Sequence, residues 1–339
     1  MKRILAIITA VALAGMQLSN AQDTRFSQPI SNVLHLNPAM MSLSNDLRIT
    51  LNYRNQWASI DQGYTTYGLS LMCPLFLNSK SKGGDTSAQD PGRSRLDFGL
   101  NVVNDNSFGF NRVNITFNLG YSLKVNASNT ISAALNIGYM LHTFNVLNQT
   151  FDEQFVNGGF NDANPTGEDF NAFNKGNFDV GMGFVWRYTP EKGKIQAFAG
   201  VSGFHLNQPN LSFTGGTAKF PARYHFQAGV KVIGNKMDFT PVFLYNLQGR
   251  FKQLSIGLLA AYKFDKKGQM VIGAWYKEND AIVLQAGYEY KFINFAYSYD
   301  FGISKLARTT PGIMTHEVSL GFRLLDMGAK KGVKTPNFF

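Results

Sequence analysis

Apolar and polar residues alternate along most of this chain. From Val113 to Val125 every second residue is apolar, and the residues between them are Asn, Thr, Gly, Ser or Lys. The same alternation recurs at 178–188, 224–232, 282–290 and 318–324. Because successive side chains of a β-strand point to opposite faces, the pattern predicts long strands with one apolar and one polar face.

These segments predict an all-β chain that forms a transmembrane barrel of the outer membrane, at residues 47–325. A tilted strand of about 9–11 residues spans a bilayer, and bacterial single-chain barrels have an even number of strands. We predict about fourteen antiparallel strands, in keeping with that rule. They begin near Leu47, Tyr64, Arg95, Arg112, Asn129, Asn177, Lys194, Ala222, Lys236, Lys252, Gln269, Ala281, Ile293 and Thr315.

Alternation by itself also fits a soluble β-sandwich or a barrel with a packed interior. The polar face of the predicted strands consists of Gly, Asn, Ser and charged residues, which suits a water-filled lumen. Aromatic residues such as Trp57, Tyr188, Tyr262 and Tyr290 lie near predicted strand ends. This placement is typical of the aromatic girdles of outer-membrane barrels, so both features favour the transmembrane barrel.

The connections between strands fit the short periplasmic turns and long outer loops of such barrels. With the N-terminus in the periplasm, short turns fall at 126–128, 189–193, 234–235, 265–268 and Phe292. Long outer loops fall at 146–176, 207–221 and 305–314. The segment 75–94 is an exception. It follows the second strand, and because successive connections alternate between the two sides of the barrel it is predicted to be periplasmic, although it is long. It is either a periplasmic docking element or a sign that the predicted strand count is off there.

Both ends of the chain differ from the barrel. Lys2 and Arg3, an apolar stretch at 4–16 and small residues at Ser19 and Ala21 predict a signal peptide at 1–21. A membrane anchor is the alternative, but the apolar stretch is too short to span a bilayer. Residues 22–46 do not alternate, and we predict a periplasmic segment that either plugs the barrel mouth or leads into the first strand. We predict that residues 326–339 form a basic periplasmic tail.

Composition and charge exclude several other classes of protein. The 339 residues are 44% hydrophobic, which excludes a disordered chain. A single cysteine, Cys73, excludes an intramolecular disulfide and a cysteine-based zinc site. The net charge of +10 comes from scattered residues without the clustered pattern of a nucleic-acid interface, so we expect contacts with anionic lipid and charges in the lumen.

No catalytic, cofactor or metal site is predicted. The chain contains no HExxH or GxSxG motif and no phosphate-binding loop. Its five histidines are dispersed, although a Ser–His pair across strands, as in an outer-membrane hydrolase, stays open from the sequence. Charges on the polar face of strands in a narrow lumen must pair. The candidate lumen network consists of Arg54, Arg223, His225, Asp300, Glu317 and Arg323.

The loop at 146–176 is acidic, and we predict that it faces a partner. From Asp162 to Gly167 its oxygen-bearing residues have the spacing that begins a calcium loop, but Phe173 stands where the bidentate Glu belongs. A solvated acidic surface is therefore the preferred interpretation. The candidate partner-facing residues are Asp152, Glu153, Asp162, Glu168 and Asp169.

Five short motifs follow one another along the chain. The first contains Phe26, Ser27, Gln28, Asn32, Asn37, Pro38 and Ala39. The others are YRNQW from Tyr53, FPARYH from Phe220, YSYD from Tyr297 and HEVSLG from His316. Together these motifs resemble the PorP/SprF family of the Bacteroidetes type IX secretion and gliding motility system, and the resemblance covers nearly the whole chain after the predicted signal peptide. Pro29 departs from the family, which more often has an aromatic residue there.

This resemblance implies a non-enzymatic outer-membrane protein without a cofactor. It implies a role in secretion or surface anchoring of cargo, such as gliding adhesins, which are recognised through their C-terminal domains. Implied partners are this cargo, periplasmic secretion components and outer-membrane lipid. Asn37, Pro38 and Ala39 are also similar to a motif of FadL-like transporters of hydrophobic small molecules, which is the alternative function.

Overall fold

The structure is a computed structural model. It describes residues 23–59, 63–76, 94–145, 150–161, 163–167, 174–190, 193–213, 216–264, 268–309 and 314–326. The predicted signal peptide and most of the predicted basic tail lie outside these residues. Residues 77–93, within the long predicted periplasmic connection at 75–94, also lie outside the described residues. The same holds for three of the candidate partner-facing residues, Asp162, Glu168 and Asp169.

Fourteen strands form one closed antiparallel barrel, which confirms the predicted fold class and strand number. The barrel strands are β1 (Asp46–Gln56), β2 (Tyr64–Phe76), β3 (Ser94–Ser107), β4 (Phe110–Lys124), β5 (Asn129–Phe144), β8 (Asn174–Tyr188), β9 (Ile195–Phe204), β10 (Arg223–Ile233), β11 (Met237–Gln248), β12 (Phe251–Lys263), β13 (Gly268–Lys277), β14 (Ala281–Tyr290), β15 (Ile293–Gly302) and β16 (Met314–Asp326). A separate hairpin, β6 (Phe155–Val156) and β7 (Gly159–Phe160), lies between β5 and β8. Each predicted start is within three residues of the observed one.

Each barrel strand pairs with its neighbours in sequence order, and β1 pairs with β16 to close the sheet. We call the two ends of the barrel the turn end and the loop end. At the turn end β1 begins, β16 ends and the connections after β2, β4, β8, β10, β12 and β14 are made. The loop end carries the other connections, including the long ones after β5, β9 and β15.

The outer wall is apolar and the inner wall is polar. On β4, β5 and β8, the outward side chains of Phe117, Ile137 and Phe178 are 65%, 59% and 73% exposed. Their inward neighbours Asn136 and Asp179 are fully buried. This arrangement is that of a transmembrane barrel, and the closed sheet excludes the β-sandwich alternative.

Helices are few and short in the described part of the chain. They are an α-helix at Val33–Leu36, a 3-10 helix at Pro38–Leu43, a 3-10 helix at Asp152–Gln154 and an α-helix at Lys305–Thr309. None of these described helices has the length and apolar character needed to cross a membrane.

The first two helices follow from local sequence. The side chain of Asn32 accepts a hydrogen bond from the backbone N–H of His35, and that of Asn37 accepts one from the N–H of Ala39. Pro38 stands at the first helical position, where a missing N–H is tolerated.

Because the outer wall is apolar, a charged side chain on it is expected to destabilise the barrel by an amount that depends on its depth in the membrane. Ile137→Arg places a charge near the middle of β5 and is expected to destabilise the barrel by about 2–4 kcal/mol, whereas Ile131→Arg near the strand end costs about 0–1 kcal/mol. Urea unfolding of the refolded protein in lipid vesicles measures both. Equal costs at the two positions contradict a wall that faces hydrocarbon.

Candidate functional site

The lumen is occupied by residues 23–44, which we call the lumen segment. Nearly all of it is buried; only Arg25, Ile30 and Ser31 are half-buried. It leads into β1 at the turn end, and its first residue, Asp23, contacts residues at the loop end. The lumen segment therefore extends from the turn end, where the sequence placed it, towards the opposite end.

Apolar side chains fix the middle of the lumen segment against the inner wall. Val33, Leu34, Leu36, Met40 and Met41 belong to one buried cluster. The wall contributes inward side chains from several strands to this cluster: Met72, Val185, Phe198, Val242, Trp275 and Val283. This packing removes from water the apolar side chains of a segment that would otherwise lie in a polar lumen.

Glycines in the wall allow the lumen segment to approach the strands closely. A Cβ atom at Gly99 would lie 2.7 Å from Sδ of Met41. A Cβ atom at Gly183 would collide with the side chain of Asn37. The amide nitrogen of Asn37 donates to the carbonyl oxygens of Phe184, at 3.1 Å, and Val201, at 3.2 Å.

Ser27 and Gln28 are bound by β15 and β16. The Ser27 N–H donates to Glu317 Oε2 at 2.5 Å, and its hydroxyl donates to Asp300 Oδ2 at 2.7 Å. Gln28 Nε2 donates to the Glu317 carbonyl at 3.1 Å, and its Oε1 accepts from the Ser319 hydroxyl at 2.8 Å. The FSQ motif is thus held by residues of the YSYD and HEVSLG motifs.

Two cations complete this cluster. Arg54 Nε lies 3.8 Å from Glu317 Oε2 and donates to the Ser27 hydroxyl at 3.2 Å. Lys277 Nζ lies 3.5 Å from Asp300 and donates to the Phe26 carbonyl at 3.3 Å. Two buried carboxylates are therefore matched by two buried cations, as a low-dielectric interior requires.

A second charge cluster surrounds Asp23 near the loop end. Its carboxylate lies 2.6 Å from Arg223, 3.1 Å from Arg112 and 2.7 Å from Nε2 of His205. The other ring nitrogen of His205 lies 2.9 Å from Asp179. This cluster holds the start of the lumen segment.

The charges of this cluster shift the ionisation of its members. Burial opposes the charged form of Asp23, but Arg223, Arg112 and His205 outweigh burial and hold its pKa well below the usual value. Burial also opposes the charged form of His205, and Asp23 and Asp179 outweigh it and raise its pKa. For His35, burial and Arg223 lower the pKa to about 3, so this ring is neutral.

The six residues of the predicted lumen network lie in three places. Arg54, Asp300 and Glu317 meet around Ser27. Arg223 belongs to the Asp23 cluster. The buried ring of His225, two residues further along β10, packs against the ring of Phe204, with the two ring centroids 6.1 Å apart. Arg323 pairs with Glu289 at the turn end.

Several site residues were missed by sequence reasoning. Arg112, Asp179 and Lys277 lie inward on their strands, and alternation identifies their face without identifying their partners. Asp23 lies in a segment without alternation. His205 follows β9 with φ of 55°, a backbone conformation that the sequence pattern does not signal.

Most of the described part of the acidic loop is exposed, although Gln154 is buried. Asp152 and Glu153 lie in the short 3-10 helix before the β6–β7 hairpin, whose turn residues Asn157 and Gly158 have positive φ. Phe155, Val156 and Phe160 on this hairpin are also exposed, and the two phenylalanine rings are 5.1 Å apart. An acidic and apolar surface therefore projects at the loop end.

A cavity of about 50 Å³ lies between the lumen segment and the wall. Phe26, Leu36, Leu244, His225 and Lys277 are among its lining residues. A protein cavity of about 150 Å³ binds benzene, so this one is too small for an aromatic hydrocarbon. Among the described residues no group of three His, Cys, Asp or Glu side chains is placed to hold a metal ion.

Comparisons with known proteins agree with this architecture. Residues 18–322 match the family described as type IX secretion system membrane protein PorP/SprF. No curated protein matches the chain.

Solved structures with a similar fold include a FadL homologue and two toluene transporters. A Pseudomonas aeruginosa FadL homologue is 11% identical, with a TM-score of 0.52 over 85% of this chain and 92% of that chain. The Ralstonia pickettii toluene transporter TbuX is 9% identical, with a TM-score of 0.50 over 87% and 94%. The Pseudomonas putida toluene transporter TodX is 10% identical, with a TM-score of 0.51 over 86% and 91%. At these identities the likeness shows the fold alone.

Removing the Asp23 carboxylate is expected to release the lumen segment. Asp23→Asn removes the carboxylate that pairs with the buried Arg223 at 2.6 Å and leaves Arg112 only its longer pairing with Asp105 at 3.7 Å, which costs about 3–5 kcal/mol. We expect hydrogen exchange of a peptide covering 23–36 to accelerate by about two to four powers of ten. The exposed Asp152→Asn is the matched control and leaves the exchange unchanged. Wild-type protection in Asp23→Asn contradicts the role of the cluster.

The raised pKa of His205 predicts that the lumen segment binds the inner wall more weakly at alkaline pH, and we call this binding docking. A group whose pKa rises on docking stabilises the docked state below its ordinary pKa, about 6.5, and this contribution is lost as the pH rises through the raised value. Asp23 and His35 do not titrate in that range, because their pKa values are lowered. Exchange protection of 23–36, corrected for intrinsic rates, should fall above about pH 6.5. In His205→Gln this fall should disappear, and an equal fall in both proteins refutes the assignment.

Proposed function

Because the chain belongs to the PorP/SprF family of type IX secretion system membrane proteins and is an integral barrel of the outer membrane, we propose that it supports the secretion or the cell-surface anchoring of cargo rather than catalysing a reaction. The cargo includes surface proteins such as gliding adhesins, held through their C-terminal domains. Periplasmic components of the secretion machinery are its other partners.

The occupied lumen is the observation that carries this proposal. The lumen segment packs against strands on opposite sides of the barrel, through Ser27 on β15 and β16 and through Asn37 at β8 and β9. A folded cargo domain does not fit into an interior occupied in this way. Cargo contacts therefore fall on the loops and rims of the barrel.

The loop end is the side that faces the cell exterior in this proposal, because it carries the long loops. Its exposed hairpin combines Phe155 and Phe160 with the neighbouring carboxylates of Asp152 and Glu153. Exposed apolar side chains outside the barrel wall are typical of protein interaction sites. We assign the cargo contact to this hairpin and the acidic residues beside it.

Transport of hydrophobic small molecules, the alternative function, has less support. The similar solved transporters share the fold at 9–11% identity, which does not extend to function. The cavity beside the lumen segment is too small for the aromatic compounds that two of those proteins carry.

Deleting the gene tests the proposed function. We expect cargo to disappear from the cell surface, measured by antibody labelling of intact cells, and to return when the wild-type gene is restored. Normal surface cargo in the deletion strain refutes a role in secretion or anchoring.

Photocrosslinking tests the assigned contact. A photoreactive amino acid in place of Phe155 is expected to crosslink to the C-terminal domain of the cargo. The same group in place of Asn126, which is exposed at the turn end, is the control and gives no cargo adduct. Adducts at both positions, or at neither, contradict the assignment of the hairpin.

A further inference from the structure

The lumen segment does not fill the barrel evenly. In the turn-end half, the inward side chains of Met72, Asp97 and Ala134 on β2, β3 and β5 are buried beneath it. The corresponding inward residues of β12–β15 are half-exposed: Leu259, Ala261, Val271, Gln285, Gly287 and Ala296. We call the space that these six residues line the vestibule.

The vestibule opens at the turn end and is closed above. Towards the loop end the inward residues Trp275, Val283 and Ser298 are 1%, 0% and 0% exposed. From Glu289 at the mouth to Gln285 the strand rises about 13 Å, which a tilt of about 40° reduces to a depth of about 10 Å. Four strands spaced by about 4.8 Å make it about 14 Å wide. An extended chain of about three residues fits this depth.

The lining has two kinds of groups. Leu259, Ala261, Val271 and Ala296 present apolar surface that suits apolar side chains. Gln285 presents an amide that both donates and accepts hydrogen bonds, as a polypeptide backbone requires. This combination suits the end of a polypeptide better than a hydrocarbon.

The mouth of the vestibule carries an excess of positive charge. At the turn end, the carboxylates whose side chains the structure describes are all paired. The pairs are Asp46 with Arg48 at 3.9 Å, Asp97 with Arg95 at 2.8 Å, Asp238 with Lys263 at 2.5 Å, and Glu289 with Arg323. Lys194, Lys236 and Lys291 are exposed on the same rim. The rim therefore attracts an acidic segment.

We propose that the vestibule binds the end of a partner polypeptide in the periplasm, with two or three apolar residues inside and acidic residues against the lysines of the rim. This inference rests on the proposed function, in which the barrel works with partner proteins, and on the turn end facing the periplasm. Because the vestibule is closed towards the loop end, it suits the end of a chain better than a loop, which must both enter and leave. Anionic lipid would engage the lysines without using the vestibule.

Direct binding tests the proposal with defined peptides. The probe is a fluorescein-labelled peptide that ends in Ala-Val-Leu after a run of Glu and Ser, and the comparison peptide has Lys in place of Glu. With the full protein in nanodiscs, fluorescence anisotropy is expected to show binding at least about tenfold tighter for the acidic peptide. Equal binding of the two peptides, or binding that follows only the anionic lipid content of the nanodisc, overturns the proposal.

Two sets of variants locate the site. Ala296→Trp fills the vestibule, and Ala286→Trp places the same side chain on the outer wall as a control. We expect a loss of at least about tenfold in peptide affinity for the first and no change for the second. The exposed pair Lys236→Glu and Lys291→Glu should reverse the preference between the peptides without disturbing the fold. Unchanged binding in Ala296→Trp and in the lysine pair refutes the site.

Complementation separates this inference from the proposed function. In the deletion strain, Ala286→Trp should restore surface cargo and the folded Ala296→Trp should not. If deletion removes surface cargo but Ala296→Trp restores it, the proposed function stands and the vestibule inference is wrong. If deletion leaves surface cargo normal, the proposed function itself fails.

Discussion

The structure depends on satisfying polar and charged groups inside an apolar wall. The strands alternate strictly, so an outer face made for hydrocarbon places an equal number of side chains inside the barrel. Carboxylates such as Glu317 and Asp179 are fully buried there, and an unpaired charge in such a place is costly. The lumen segment provides the partners, through Ser27 for Glu317 and through Asp23 for the cations near the loop end.

This constraint explains why motifs far apart in the sequence meet in space. Ser27 and Gln28 are bound by Asp300, Glu317 and Ser319, and Arg54 approaches from β1. Arg223, from the FPARYH motif, binds Asp23. Four of the family motifs therefore contribute to the surface that binds the lumen segment, and the lumen segment carries the fifth.

The lumen segment also gives the barrel two different ends. At the loop end the charge cluster around Asp23 and the cluster around Ser27 hold it tightly, and an exposed apolar hairpin with acidic residues beside it projects beyond it. At the turn end it covers the inner wall of β2–β5 but leaves that of β12–β15 half-exposed, beneath a rim of lysines. The proposed function, in which the barrel contacts cargo outside the cell and secretion components in the periplasm, requires two such distinct contact surfaces.

The sequence by itself determined the barrel, its fourteen strands and their starts, because the alternation of side chains is a local property of each strand. It also identified Arg54, Asp300 and Glu317 as inward, since alternation gives the face. Only the tertiary structure decided that these three meet around Ser27, whereas Arg223 joins Asp23 and Arg323 joins Glu289. The reason is that partners across a closed barrel depend on strand register and on the path of a segment without alternation, and neither is recorded in the spacing of residues along the chain.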